Sequence, residues 1–309
     1  FLMIRRPPRS TPFPSTTLFR SADDPVLNNL TPLFLRIAAF QCLVTARLAA
    51  SPSAVDLDGD VQLADGTLVR FQDFFSSEQR LGFMGAGSEV AEASDLIANL
   101  LGVLWVNDLK APAVKQINIR AKLLAGERYA RVRTVWQDRS EVRPGDSLQV
   151  NVMLAGHDGK ILTVRRRYQL PKNLTGRSVM VLIGSGSSLT MMDVQTNPEK
   201  YRPQLFSDLL RILDRRRRND RLYIQLRTSA TGMIIAGEEL SALPPSVLRV
   251  MNHRSGGEDR PIRDQVLLEE SLAMDMEISG LKRLAFRVVQ PEPPVPDVES
   301  PAPSETVLE

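Results

Sequence analysis

The sequence predicts a mostly-β α+β protein with an immunoglobulin-like β-sandwich in its middle and smaller α+β regions on either side. Three observations predict it. From Ser140 to Gly184 apolar and polar residues alternate with period two. Two turn signals, Arg143-Pro144-Gly145-Asp146 and Asp158-Gly159, separate the alternating runs at hairpin spacing. Apolar residues at helical spacing occur only before and after this stretch.

In chain order, Asp24-Pro25 can cap a helix with proline at its first position, and Leu30, Phe34, Ile37, Gln41, Val44 and Leu48 continue it at helical spacing. The window from Leu33 to Ala50 has the length of a membrane span. Arg36, Gln41 and Arg47 interrupt it, each central arginine at a cost of roughly 2.5 to 3.5 kcal/mol. It also resembles a signal peptide, with Arg36 ahead of an apolar run and Ala-Ser-Pro-Ser-Ala behind. A packed helix is expected instead, because Asp23 to Leu33 already has the pattern of folded sequence. Val55, Leu57, Val61 and Leu63 then alternate with Asp56, Asp58, Asp60 and Gln62, and Asp65-Gly66 turns the chain into a second strand. Asp56, Asp58 and Asp60 fit the first positions of a calcium loop. Val61 stands where that loop needs glycine and Thr67 where it needs glutamate, so the acids are expected on the wet face of an edge strand.

Ser88 caps a second helix through Val106. The preceding Gly85-Ala86-Gly87 lacks the strand and the third glycine of a dinucleotide loop. Strands follow at Ile117 to Leu123 and Ala130 to Trp136. The central run then gives Leu148 to Leu154, Leu162 to Leu170 and Val179 to Ile183, read as a meander. Gly184-Ser185-Gly186-Ser187-Ser188 lacks the lysine of a phosphate loop and is expected to be a tight turn. Leu205, Leu209, Ile212 and Leu213 form a short helix ending in Arg215 to Arg218. That run could grip phosphate, but cations at a helix C-terminus complement the macrodipole while staying solvated, and this is the expectation here. Strands at Leu222 to Leu226, Gly232 to Ile235, Val266 to Leu272 and Leu284 to Val289, with a short helix after Pro245, complete the folded part.

These elements suggest five segments: 1–21, an α+β region over 22–112, the sandwich over 113–190, an α+β region over 191–290, and a proline-rich acidic tail over 291–309 expected to be disordered. Residues 1–21 resemble translated sequencing-adapter sequence, with four prolines between Pro7 and Pro14, and imply an upstream part cut away near Ala22. They also hold four of the chain's 39 Lys and Arg and no acid. Without them 35 cations face 36 Asp and Glu, so the net charge of +3 makes no case for nucleic acid. The one cysteine, Cys42, excludes an internal disulfide.

Catalytic residue types are few. His157 and His253 flank glycine-containing turns, and neither can be placed beside an activated serine. Cys42 lies in a helical stripe as a small core residue, and one cysteine with two distant histidines builds no zinc site. No catalytic, cofactor-binding or metal-binding residue is therefore expected, and no cofactor.

Four motifs occur in a set order: Asp23-Asp24-Pro25 before a Leu-rich helix; Asp65-Gly66 leading to Phe71-Gln72-Asp73-Phe74-Phe75; Glu141-Val142-Arg143-Pro144-Gly145-Asp146; and Arg217-Arg218-Asn219-Asp220-Arg221-Leu222-Tyr223-Ile224. Together they resemble the region downstream of the peptidase domain in SpoIVB-type serine peptidase-like proteins of bacteria, over most of Ala22 to Gln290. That family's Gly-His-Pro and Gly-Met-Ser-Gly-Ser-Pro motifs are absent: Asp158 follows His157 and Arg254 follows His253. The resemblance implies an exported parent serine endopeptidase of the periplasm, envelope or medium. This chain would be its non-catalytic C-terminal portion, binding protein partners or its own peptidase domain, without a transmembrane segment. The competing expectation is a stand-alone extracytoplasmic adhesion or carbohydrate-binding sandwich, which would carry a signal peptide directly upstream.

Overall fold

The computed structural model describes residues 25–50, 54–76, 88–110, 112–172, 174, 178–235, 238–240, 246–247 and 261–289. The adapter-like segment 1–21, the Gly85–Gly87 loop, His253 and the tail 291–309 lie outside the described residues.

The first layer is a three-stranded antiparallel sheet under two helices. α1 (Pro25–Ala50) and α2 (Ser88–Trp105) cover β1 (Ala54–Leu63), β2 (Leu68–Ser76) and β3 (Val114–Leu124), in the order β2-β1-β3. Ala39 and Leu43 of α1, Ile97, Leu101 and Leu104 of α2, and Val55, Leu57 and Val61 of β1 share its core. Each buried Val, Leu or Ile among them contributes about 1.5 to 3 kcal/mol. Pro32 of α1 sits against Gly102 of α2, and Arg36 and Arg47 pair with Asp95 and Glu89 at 2.5 and 2.9 Å. The stretch Leu30–Arg47 is long and apolar enough to cross a membrane by length and composition, and 22% of it is buried.

β1 is the central strand of this sheet, not the expected edge. Its acids lie on the outward face and are met from β3: Arg120 donates to Asp58, and Asn118 Nδ2 to Asp60 at 2.9 Å. Gly59, opposite Phe71, has no room for a side chain because the Phe71 ring and the Asn118 carbonyl fill the space over its Cα. The partner that makes β1 central comes from beyond residue 112, so the expected boundary at 112/113 runs through a sheet.

The other two layers face each other across one core. A four-stranded sheet runs β12-β4-β6-β7, built from β4 (Tyr129–Gln137), β6 (Ser147–Gly156), β7 (Ile161–Gln169) and β12 (Glu277–Ser279). The six-stranded sheet runs β10-β9-β8-β13-β5, with β11 also paired to β9. It comprises β5 (Glu141–Val142), β8 (Ser178–Ser185), β9 (Arg221–Ile235), β10 (Glu238–Leu240), β11 (Pro261–Ala273) and β13 (Leu281–Val288). Leu148, Val150, Val152 and Leu154 of β6 meet Val179, Val181 and Ile183 of β8, Leu222, Ile224 and Leu226 of β9, and Phe286 and Val288 of β13. The mostly-β α+β class holds, with two facing sheets over one interior.

The turns form as their residues dictate. Gly145 takes φ +85° in a turn closed by the Asp146 N–H on the Arg143 carbonyl at 3.1 Å, and Gly159 takes φ +74° in the β6–β7 hairpin. The meander, however, stops at β7. β8 crosses to the opposite sheet and lies between β9 and β13. Two features cause this. Pro171 offers no N–H to a ladder, and Val181, Leu182 and Ile183 are buried on both faces of β8, which suits an interior strand rather than a half-wet one. β9, β11, β12 and β13 all lie beyond residue 190, so the sandwich also crosses that expected boundary. β7 is left at an edge, where Leu162, expected to be inward and buried, is 44% exposed.

Candidate functional site

β8 leads through Gly184, Ser185 and Gly186 into α3 (Gly186–Thr196), a helix where a simple turn was expected. The helix was hidden because its buried positions are Gly186, Leu189 and Asp193, a stripe with one large apolar member. The glycines serve close approach: a Cβ on Gly184 would meet the Gly280 carbonyl, and one on Gly186 the Arg218 carbonyl. Ser185, 1% exposed, is the N-cap, its Oγ accepting from the Ser188 N–H at 3.2 Å and lying 2.9 Å from Ser188 Oγ. Its hydroxyl is thus committed to the helix start.

Asp193 points from α3 onto the outer face of the six-stranded sheet. There Tyr223, Gln225 and Arg227 of β9 alternate with the core-facing Leu222, Ile224 and Leu226. Arg227 is 2% exposed and donates to Asp193, while its Nε donates to Gln225 Oε1 at 2.6 Å. Gln225 Nε2 donates to Glu269 of β11 at 2.7 Å. Arg217 closes the ring: it forks onto Glu269 at 2.8 and 2.7 Å, reaches Asp193 at 2.7 Å, and stands 5.9 Å from the Tyr223 ring. Burial alone would raise the Glu269 carboxyl, but the Arg217 fork outweighs it and holds Glu269 below the usual range.

The arginine run after α4 (Phe206–Asp214) is therefore not a solvated helix end. Arg215 stays exposed, but Arg216 donates to Asp73 of β2, Arg217 to Glu269, and Arg218 to Asp220 and Gln72. Successive guanidiniums reach toward the first layer, the outer sheet face and back again, clasping the α+β layer to the sandwich. Asp73, 1% exposed, also accepts from the backbone N–H of Phe74 and Asn219 at 2.9 and 2.7 Å. Burial pushes its carboxyl above the usual range, against the pull of Arg216 and the two N–H groups. Beside the clasp lies a cleft of about 330 Å³ lined by Asp58, Asp60, Arg70, Gln72, Arg120 and Arg218, largely spanned by the ion pairs and hydrogen bonds already described.

The remaining candidates are apart from this cluster. His157 sits in the β6–β7 hairpin, its N–H on the Tyr129 carbonyl at 3.1 Å and its ring 5.9 Å from the Tyr129 ring. Cys42 is half-buried in α1, and burial raises its thiol pKa. Among the described residues no three His, Cys, Asp or Glu side chains gather in a metal-binding group. Asp73, Asp193, Gln225, Arg227 and Glu269 escaped the sequence reading. Only the Tyr223-Gln225-Arg227 alternation signalled them, and it looks like a wet face until α3 is seen to cover it.

The tyrosines around these clusters give an optical test. Burial raises the pKa of Tyr168, Tyr201 and Tyr223, and for Tyr168 the hydrogen bond to Glu270 Oε2 at 2.5 Å adds to it. Titration followed at 295 nm should show these three of the four tyrosines ionising only above the ordinary value of about 10. A folded-state pKa above the unfolded one stabilises at lower pH, so stability should be full below about pH 10 and fall as alkali rises beyond it. Four tyrosines ionising together near the ordinary value in folded protein would contradict the burial.

Compared with known proteins, the chain matches no family model, no curated protein and no solved structure.

Proposed function

We propose that this chain is the non-catalytic, β-rich portion of an exported SpoIVB-like serine endopeptidase, an immunoglobulin-like sandwich with flanking α+β layers. It works as a protein-binding or scaffolding unit outside the cytoplasm and engages protein partners or the peptidase domain itself. The observation that carries this is the outer face of α1. Leu30, Leu33, Ile37 and Phe40 recur at helical spacing on one stripe, from 38% exposed at Phe40 to 50% at Ile37. A contiguous apolar patch of this kind marks a contact surface. The Arg36–Asp95 and Arg47–Glu89 pairs tie the same helix to α2 and favour a helix lying on the protein over a membrane span. Ser185, Asp73 and Asp193, each bound into a cap or an ion pair, support a structural rather than a reactive use of the buried polar groups.

Reading the coding DNA upstream of Ala22 should give an in-frame domain carrying Gly-His-Pro and Gly-Met-Ser-Gly-Ser-Pro. The purified chain should take up no fluorophosphonate, and Leu33→Ser/Ile37→Ser should weaken its association with that domain produced separately. Fluorophosphonate labelling of one defined serine in this chain, or upstream DNA without either motif, overturns the reading.

A further inference from the structure

The outer face of the four-stranded sheet has a chemistry that neither the clasp nor the α1 stripe uses. β4, β6 and β7 contain Arg131, Arg133, Arg165, Arg166 and Arg167 and neither aspartate nor glutamate. Arg166 is turned to the other face and pairs with Glu270 at 3.3 Å. Arg133, Arg165 and Arg167 are exposed and form no ion pair among the described residues. The register places Trp136 directly opposite Asn151, Asn151 opposite Arg165, and Gln149 opposite Arg167 one rung further on. Trp136 is 39% exposed, whereas Asn151 in the same row is 4% exposed. The Asn151 Oδ1 accepts from Gln149 Nε2 at 3.2 Å, and its amide nitrogen has no partner among the described residues.

That nitrogen is not one of the buried side-chain atoms left without a partner, so it is open to solvent and can meet a ligand. Along its row Asn151 stands between Trp136 and Arg165. An indole offers a flat apolar surface with a polar edge, an amide serves hydroxyls as both donor and acceptor, and guanidinium forks fit carboxylates. These three needs coincide in a sugar ring bearing a carboxylate. Guarding an edge strand against other strands accounts for arginines on β7, but not for the exposed Trp136 on β4. Single-stranded nucleic acid is read by successive stacking aromatics, and Trp136 is the one aromatic residue in this row.

We propose that this face binds an acidic carbohydrate polymer: a uronate ring lies on Trp136, its hydroxyls meet the Asn151 amide, and carboxylates along the polymer pair with Arg165 and Arg167. This does not depend on the peptidase reading. The full chain should bind polygalacturonate in affinity electrophoresis and by tryptophan fluorescence, more weakly as salt rises. Neutral dextran, oligothymidylate and phosphatidylglycerol vesicles should bind poorly or not at all. Trp136→Ala and the double variant Arg165→Gln/Arg167→Gln should each weaken polygalacturonate binding by about tenfold or more, the scale of losing a hydrogen bond to a charged group, with unchanged melting temperature. If Trp136→Ala does not fold, the double variant decides, since both of its side chains are exposed. Absence of polygalacturonate binding, equal binding of dextran, oligothymidylate or vesicles, or full retention in the double variant would each overturn the proposal.

Discussion

Arg227→Ala is expected to destabilise the folded chain by about 3 to 5 kcal/mol, the range for removing one partner of a buried ion pair. The side chain is 2% exposed in β9, and both ends of its guanidinium are used, by Asp193 and by Gln225. Truncation leaves Asp193 with Arg217 alone for charge and leaves Gln225 Oε1 facing an emptied space under α3. The loss should appear as a lower urea midpoint at unchanged slope, and it should change little with salt, because buried pairs are screened far less than exposed ones. A companion double variant, Arg227→Met/Asp193→Leu, should recover part of the loss, since it removes the uncompensated charge as well as the pair. A loss of well under about 1 kcal/mol, or one that vanishes in high salt, is the behaviour of a surface pair and would mean that α3 does not seal this network.

How far the fold was legible depends on which side of each strand is considered. Along Leu148 to Leu154 the strand, its turns and its buried face came out as expected, whereas the same alternation on β7 left Leu162 exposed at the sheet edge. Pairing partners were not legible, because period-two patterning says which residues face the core and nothing about the neighbouring strand. Thus β3 joined β1 across an expected boundary, and β8 left β7 for β9 and β13. Val181-Leu182-Ile183 held the clue: three consecutive buried residues break the alternation and mark an interior strand. The polar clusters were illegible for a different reason. Arg216 to Arg218 look alike as sequence, and what separates them is which distant acid each one reaches, Asp73, Glu269 or Asp220. α3 was missed because its inward residue is a charged one, Asp193, whose burial makes sense only once Arg227 and Arg217 are opposite it.

Asp73→Ala should cost about as much as Arg227→Ala, about 3 to 5 kcal/mol, because it opens the clasp from the other side. The Asp73 carboxylate is the common acceptor for Arg216, the Asn219 N–H and the Phe74 N–H, and alanine strips all three at once. Two of these donors lie in the segment that runs from α4 into β9, so the first layer loses its tie to the sandwich along with the hydrogen bonds. Asp73→Asn should cost much less, since its amide oxygen still accepts from both backbone N–H groups. The two neutral replacements also isolate the charge. Burial raises the Asp73 pKa above its unfolded value of about 3.9 despite Arg216, so the folded state holds this proton more tightly than the unfolded state does. Its contribution is then largest below that unfolded value and shrinks as pH rises through the raised folded pKa. The stability of the native chain relative to Asp73→Asn, measured as urea midpoints from acid toward neutral pH, should accordingly fall as pH rises. If it climbs instead, the pull of Arg216 exceeds the cost of burying the carboxylate, and the clasp is held by charge rather than by the backbone hydrogen bonds that Asp73 accepts.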